Sequence, residues 1–405
     1  MAVLVLIWLF WPEFCFWNAY RQLRLQAPTT AMQWVEQAGI AGHSRTKVAK
    51  LRCLAARRIG DPQLVRDAIE QFQQTGAAER EIEREKILFL AQSGELAQVD
   101  HLLSSLLTDP DHDNRDVSIS YLIGYLRVQR YMEAGLLTEA LMKDAPDDPF
   151  PWYVQGKVFA LQQSLNRAEE GFRKAIQRSP RWREPRLELA HLLSDSHRQR
   201  EAIPLYDALL QEDRQDRDAA VGLAECFKAV GDPAQGRAIL EAALANGEQT
   251  PALLISLGRT EFEDGSWQKA AGLLRQALEL QPWADDAVFL LAQCERQLGN
   301  EESADRLFAQ VSEVREGIAR LRTLQDQVAV QPDNEPLRLE AALLLLKYTD
   351  PEDGVVALQA IIDQNPRCRE AHTALLQYFE SVKPATEGSK RQAEMHRDAL
   401  LQLEE

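Results

Sequence analysis

Residues 149–182 read PFPWYVQGKVFALQQSLNRAEEGFRKAIQRSPRW. Trp152, Gly156 and Phe159 recur every three or four residues, so they share one face of a first helix, and Ala168, Phe172 and Ala175 do the same on a second. Gly156 and Ala168 are expected where the two helices cross, because a larger side chain there would hold the backbones apart while the aromatics fill the space beside them. Ser179-Pro180 closes the second helix, since proline disfavours helical geometry in the residue before it. The stretch is a helical hairpin.

The same spacing returns every 34 residues. Units start at Arg183 (Leu189, Ala190, Leu193, Ala202, Tyr206), Arg217 (Leu223, Ala224, Phe227, Gly231, Leu240), Pro251 (Leu257, Gly258, Gly265, Ala270, Leu274, Ala277, Pro282) and Asp285 (Leu291, Ala292, Gly299, Ala304, Phe308). Towards the N-terminus, Arg115, Arg80 and Thr46 open further units, and Ala31, Val35 and Ala38 read as the second helix of a degenerate unit starting near Pro12. Residues 312–330 contain no proline and only Gly317 as a breaker, so a second helix should run on past its usual end. Units resume at Glu335 and Arg369, and 390–403 forms a last helix whose charged face shields the end of the stack.

The period and these positions resemble the tetratricopeptide repeat, over nearly everything from Pro12 onward. That resemblance implies an all-α fold, an α-solenoid in which helix-turn-helix hairpins stack as a right-handed superhelix. The expected division is an apolar N-terminal segment (1–20), a degenerate first repeat (21–45), a regular array (46–318), an extended helix or irregular insert (319–334), and C-terminal units with a capping helix (335–405). Three features depart from the pattern. Glu225, Glu261 and Glu295 recur on first helices where apolar residues are wanted, Pro204 lies inside a helix, and one extra residue in the 109–114 loop shifts the register.

A chain with 45% hydrophobic and 27% charged residues should fold, and its net charge of -16 disfavours general nucleic-acid binding. The charge is uneven: through Gly60 there are eight basic residues and two acids, Glu13 and Glu36. A basic start ahead of an acidic body suits a protein whose first part lies near an anionic surface, and solvated helix faces alone produce the same asymmetry. Met1 to Trp11 is an uninterrupted apolar run of roughly 16 Å as a helix, half a bilayer core. Extending it to Tyr20 places Glu13 inside the membrane. The segment reads as the remnant of a membrane anchor whose start lies upstream, with Trp8, Trp11 and Trp17 as an interfacial belt, or as an apolar cap on the first repeat. The expected location is therefore the membrane, with the side left open, or the cytoplasm if the segment does not anchor.

No catalytic motif is present. Ser44-x-x-Lys47 and Ser266-x-x-Lys269 lack companion motifs, and Asp109, Asp111 and Asp113 open like a calcium loop but lack its glycine and its final glutamate. The five cysteines are scattered and never spaced C-x-x-C, and Cys226 and Cys294 occupy equivalent repeat positions as small apolar filler. The chain is expected to be no enzyme and to need no cofactor, metal or small-molecule substrate.

Positions 2, 5, 9 and 12 of each unit form a second stripe, offset from the core stripe. In proteins this chain resembles, that stripe faces the concave side and holds partner segments. Here it offers Lys47, Lys50, Arg57 and Arg58, then Ile119, Ile123, Phe150 and Tyr153 with Lys157 and Leu187, then acids including Glu184, Asp218 and Glu225. The family's lysine and asparagine clamp for a terminal carboxylate is absent, because Leu54 follows Lys50 and Glu85 stands where an amide is wanted. The expected function is a membrane-tethered protein-protein interaction scaffold. The alternatives are a regulatory subunit of a membrane-associated enzyme complex and a helical-repeat RNA reader, the latter disfavoured by the acidic groove. The apolar zone around Phe150 either anchors a partner or packs the inner curve.

Overall fold

A computed structural model describes residues 2–403, apart from 110–113, 129, 248, 332–333, 350 and 383–386. The described secondary structure is all helical, in successive antiparallel pairs, which makes the fold an α-solenoid of helix-turn-helix hairpins. Two compact units divide the chain between Asp213 and Arg214. Of the candidate calcium loop, Asp111 and Asp113 lie outside the described residues.

The first unit contains α1 (Ala2–Arg24), α2 (Pro28–Ile40), α3 (Arg45–Ile59), α4 (Pro62–Gln74), α5 (Glu79–Ser93), α6 (Leu96–Val99), α7 (Leu103–Leu107), α8 (Asn114–Arg127), α9 (Tyr131–Asp144), α10 (Pro149–Leu161), α11 (Leu165–Arg178), α12 (Arg183–Asp195) and α13 (Gln199–Glu212). Helix starts follow local chemistry. Asp61 accepts from the Gln63 and Leu64 amides ahead of Pro62, and Asp148 accepts from the Phe150 amide ahead of Pro149. Gly60 ends α3 at φ 86°, a left-handed turn that a side chain resists.

The N-terminal segment is part of this stack. α1 runs unbroken through Pro12 and across residue 20, so the expected boundary there falls inside one helix. Cys15, Ala19 and Leu23 repeat every four residues and are buried against Ala31, Val35 and Ala38 of α2, so the first hairpin is α1 with α2. Among the described residues no helix is long and apolar enough to cross a membrane. Farther along, the second helix of the unit at Arg80 is interrupted by a 3₁₀ turn, Asp100–Leu102. There Tyr121 donates to the Val99 carbonyl at 2.6 Å, and the Asp100 carboxylate is held by Tyr125 at 2.6 Å and Arg130 at 2.8 Å.

The crossing of α10 and α11 is made by Gly156 and Gly171, with Ala168 buried nearby, which corrects the expected Gly156/Ala168 pair. A Cβ on Gly171 would stand 2.8 Å from the Gly156 Cα and 2.9 Å from the Trp152 carbonyl oxygen. Both glycines fit the sequence pattern, and only the close backbone approach selects the pair. The loop after α1 also meets the loop after α11, where the Ser179 hydroxyl donates to the Leu25 carbonyl at 2.9 Å.

The second unit contains α14 (Arg217–Ala229), α15 (Pro233–Asn246), α16 (Pro251–Glu263), α17 (Trp267–Leu280), α18 (Asp285–Gln297), α19 (Glu301–Val330), α20 (Glu335–Tyr348), α21 (Pro351–Gln364), α22 (Arg369–Ser381) and α23 (Glu387–Gln402). At 30 residues α19 is a second helix that continues well beyond its hairpin, and Leu321 and Leu324 pack on Ala341 of α20. The recurrent glutamates have partners. Glu261 is buried and meets Lys269 at 2.6 Å, and Glu295 is buried and held by Arg275 and, at 2.6 Å, by Asn300. Glu225 instead lies exposed on α14.

Candidate functional site

The offset stripe of α3 divides into two environments. Lys47 is exposed and Lys50 is half-buried, pairing with Glu81 at 2.5 Å. Arg57, by contrast, is fully enclosed. Its Nε donates to Glu85 at 3.1 Å, its Nη2 to Asp116 at 2.6 Å and its Nη1 to the Ser120 hydroxyl at 2.7 Å, while Arg58 donates to the other Asp116 oxygen at 2.8 Å. Arg115 continues the row to Asp148, the residue that caps α10. Arg57 and Arg58 therefore staple α3, α5 and α8 together and are not surface cations, a correction to their expected place in the groove.

Burial and pairing compete in this cluster. Burial pulls Arg57 down, but the Asp116 and Glu85 carboxylates more than recover it and hold the guanidinium above its ordinary range. Burial lowers Arg58 to about 10. Burial raises Asp116, yet Arg57 and Arg58 override that and hold it at about 2. For Glu85 burial wins and its pKa lies above the ordinary carboxylate value.

Beside the staple is a cavity of about 490 Å³, walled by Phe16, Trp17, Tyr20 and Arg24 of α1, by Lys47, Lys50, Leu51 and Leu54 of α3, and by Arg84, Glu85 and Asp116. Arg24 lies 5.6 Å over the Tyr20 ring. Arg84 is only 6% exposed, and its Nε and Nη2 have no hydrogen-bond partner. Desolvation lowers its pKa. Arg84 and the α1 residues were not among those expected in the groove. Arg84 occupies the fifth position of its unit, as Lys50 does, so the stripe could have found it. The α1 wall was hidden because that segment read as an anchor.

Ile119, Ile123, Phe150, Tyr153, Lys157 and Leu187 do not line this cavity. Ile119 and Phe150 are buried in the repeat core, at 0% and 6% exposure. Trp182 stacks on Phe150 at 5.9 Å between ring centres and meets Tyr153 at 4.8 Å, so this apolar zone binds neighbouring hairpins to each other. Ile123, Tyr153 and Leu187 are half-buried, and Lys157 pairs with Glu188 at 2.7 Å. In the second unit a cavity of about 310 Å³ includes Glu225, Lys228, Arg237 and Arg259. Lys228 pairs with Glu263, Arg237 with Asp264, and Arg259 with Asp286. Among the described residues no group of three or more His, Cys, Asp or Glu could hold a metal ion.

The tetratricopeptide repeat family matches at residues 195–257 and 261–328. Together with the helical hairpins described above, the match identifies these stretches as tetratricopeptide repeats. No curated protein matches it. Among solved structures it is similar to PilW, a widely conserved type IV pilus biogenesis factor, at 22% identity over 50% of this chain and 94% of that one, with a TM-score of 0.45. It is also similar to YrrB, a TPR protein with an unusual peptide-binding site, at 24% identity over 51% of this chain and 98% of that one, with a TM-score of 0.32. A third is Pseudomonas aeruginosa pilF, at 17% identity over 49% of this chain and 90% of that one, with a TM-score of 0.44.

Proposed function

We propose that this protein is a non-catalytic scaffold that captures a segment of another protein in the first unit, on the face formed by α1, α3 and α5. The observation that carries this reading is the cavity of about 490 Å³, where three aromatic residues of α1 stand opposite basic residues of α3 and α5. Hairpin packing buries the neighbouring stripe of α1, Cys15, Ala19 and Leu23, and covers Phe16 and Tyr20 only in part, while Trp17 stays exposed. Recognition sites commonly combine an apolar wall with a few placed polar groups in this way. The remaining residues of the expected groove, Ile123, Tyr153, Lys157 and Leu187, are proposed as flanking contacts for a longer segment. Capture from a detergent extract, compared between the natural chain and a Lys47→Glu/Lys50→Glu variant, tests the reading. Partners lost by the variant with its helical signal intact support it, and equal recovery of partners by both proteins overturns it.

Attachment to a membrane surface is part of the same proposal. Trp11 and Phe14 are 39% and 52% exposed and group with Trp34, which suits the interfacial region of a bilayer. Flotation with anionic vesicles should carry the natural chain upward and leave a Trp11→Ser/Phe14→Ser variant behind. Failure of the natural chain to float removes the membrane from the account.

A further inference from the structure

We infer that the cavity between α1, α3 and α5 recognises an internal acidic side chain, Asp or Glu, with an apolar side chain next to it, in the captured segment. This assignment rests on the scaffold reading and names the chemistry of its ligand.

Three observations converge on it. Arg84 forms part of the wall with 6% exposure and two guanidinium nitrogens, Nε and Nη2, that have no hydrogen-bond partner. Those two nitrogens form one edge of the guanidinium fork, whose parallel donors match the two oxygens of a carboxylate. Enclosed donors without partners are costly, so an incoming carboxylate gains more here than at an exposed lysine. Second, the charge around the cavity is modest. Arg24, Lys47, Lys50 and Arg84 face Glu85 and Asp116, and those two acids are already engaged by Arg57 and Arg58 while Lys50 is engaged by Glu81. Arg24, Lys47 and Arg84 are the surplus, which suits singly charged carboxylates, whereas a phosphate dianion would meet Glu85 and Asp116 at short range. Third, Phe16, Trp17 and Tyr20 make an apolar wall on the α1 side, so a ligand filling the space needs an apolar group beside its anion. The cavity in the second unit lacks this combination, since Lys228, Arg237 and Arg259 are each in ion pairs there.

The test is calorimetric titration of the full chain with a tetrapeptide of alternating glutamate and phenylalanine, acetylated and amidated at its ends. Saturable binding is expected, weakened at least tenfold by Arg84→Gln or by glutamine in place of glutamate in the peptide. The two changes together should weaken it no further than either alone. Lys47→Gln, at an exposed position, should weaken binding a few-fold with unchanged thermal unfolding, which keeps the test decisive if Arg84→Gln fails to fold. Equal binding of the glutamine peptide, equally effective competition by inorganic phosphate, or tenfold tighter binding of the same peptide with a free C-terminus would each overturn the assignment. Absence of peptide binding, while the full chain still captures a partner that Lys47→Glu/Lys50→Glu releases, overturns the ligand chemistry and spares the scaffold. Loss of all partner capture instead removes the reading on which it rests.

Discussion

Replacing Arg57 by methionine removes the guanidinium from the middle of the staple between α3, α5 and α8 and leaves a chain of similar reach in its place. Glu85 then loses its 3.1 Å partner and Ser120 its 2.7 Å donor, while Asp116 keeps Arg58 at 2.8 Å. Breaking a buried ion pair from one side costs about 3 to 5 kcal/mol, and the surviving Arg58 contact places this case near 3. Solenoid contacts are between neighbours, so the loss should be local, and about 3 kcal/mol corresponds to roughly two orders of magnitude in the opening of these helices. Hydrogen exchange followed by mass spectrometry reads it directly, with α3, α5 and α8 exchanging faster and α16 to α18 unchanged. The pH dependence gives a second check. Burial already holds Glu85 above its ordinary value, with Arg57 opposing, so the variant raises it further. A carboxyl with a raised folded pKa costs stability above that pKa, and the cost fades as it takes up its proton, so the deficit should be smaller at pH 5 than at pH 8. Glu85→Gln added to Arg57→Met should recover part of the loss. A deficit below about 1 kcal/mol that is the same at both pH values would mean that Arg57 does not hold these carboxylates together.

Gly171→Ala should cost about 1 to 3 kcal/mol, because its Cβ meets the backbone of α10 at 2.8 Å; unchanged thermal unfolding would show that the helices can separate freely there. Phe150→Ala should destabilise the hairpins around Trp182 by about 3 to 5 kcal/mol, measured by urea unfolding, and a folded variant of natural stability would show that this ring is a surface anchor after all. In the first turn of α22, His372 donates from Nε2 to the Pro366 carbonyl at 3.1 Å, so its Nδ1 accepts from His396 at 3.0 Å. Burial, then the neighbouring His372, lowers His396 from 6.5 to about 4. The folded state therefore binds fewer protons than the unfolded one, and stability should be lost as pH falls from about 6.5 to about 4. Amide protection in α23, taken relative to the intrinsic exchange rate at each pH, should fall over that window in the natural chain and not in His396→Phe, and identical protection profiles would exclude the pair.

The hairpins were legible because their signal is local: stripes at three- and four-residue spacing, glycines near the turns and the prolines that close second helices all lie within one unit. The crossing was less so, since Gly156, Ala168 and Gly171 satisfy the same pattern and only the 2.8 Å approach separates them. The staple was hidden for a different reason. Arg57 lies on the offset stripe like Lys50, but its partners are 28 and 59 residues away, and only the stacking of two further repeats brings them to it. Glu261 and Glu295 read as departures until the basic residues opposite them are placed. An apolar run such as that of α1 is compatible with a membrane or with a neighbouring helix, and Ala31, Val35 and Ala38 of α2 cover one side of it.

Carbodiimide coupling of the captured complex, followed by mass spectrometry, places partner carboxylates against individual lysines of the full chain. The account predicts that Lys47, exposed at the rim of the cavity, joins an aspartate or glutamate of the partner, with links at Lys157 only for longer segments. Links confined to lysines of the second unit, with Lys47 unmodified in the complex, would contradict it.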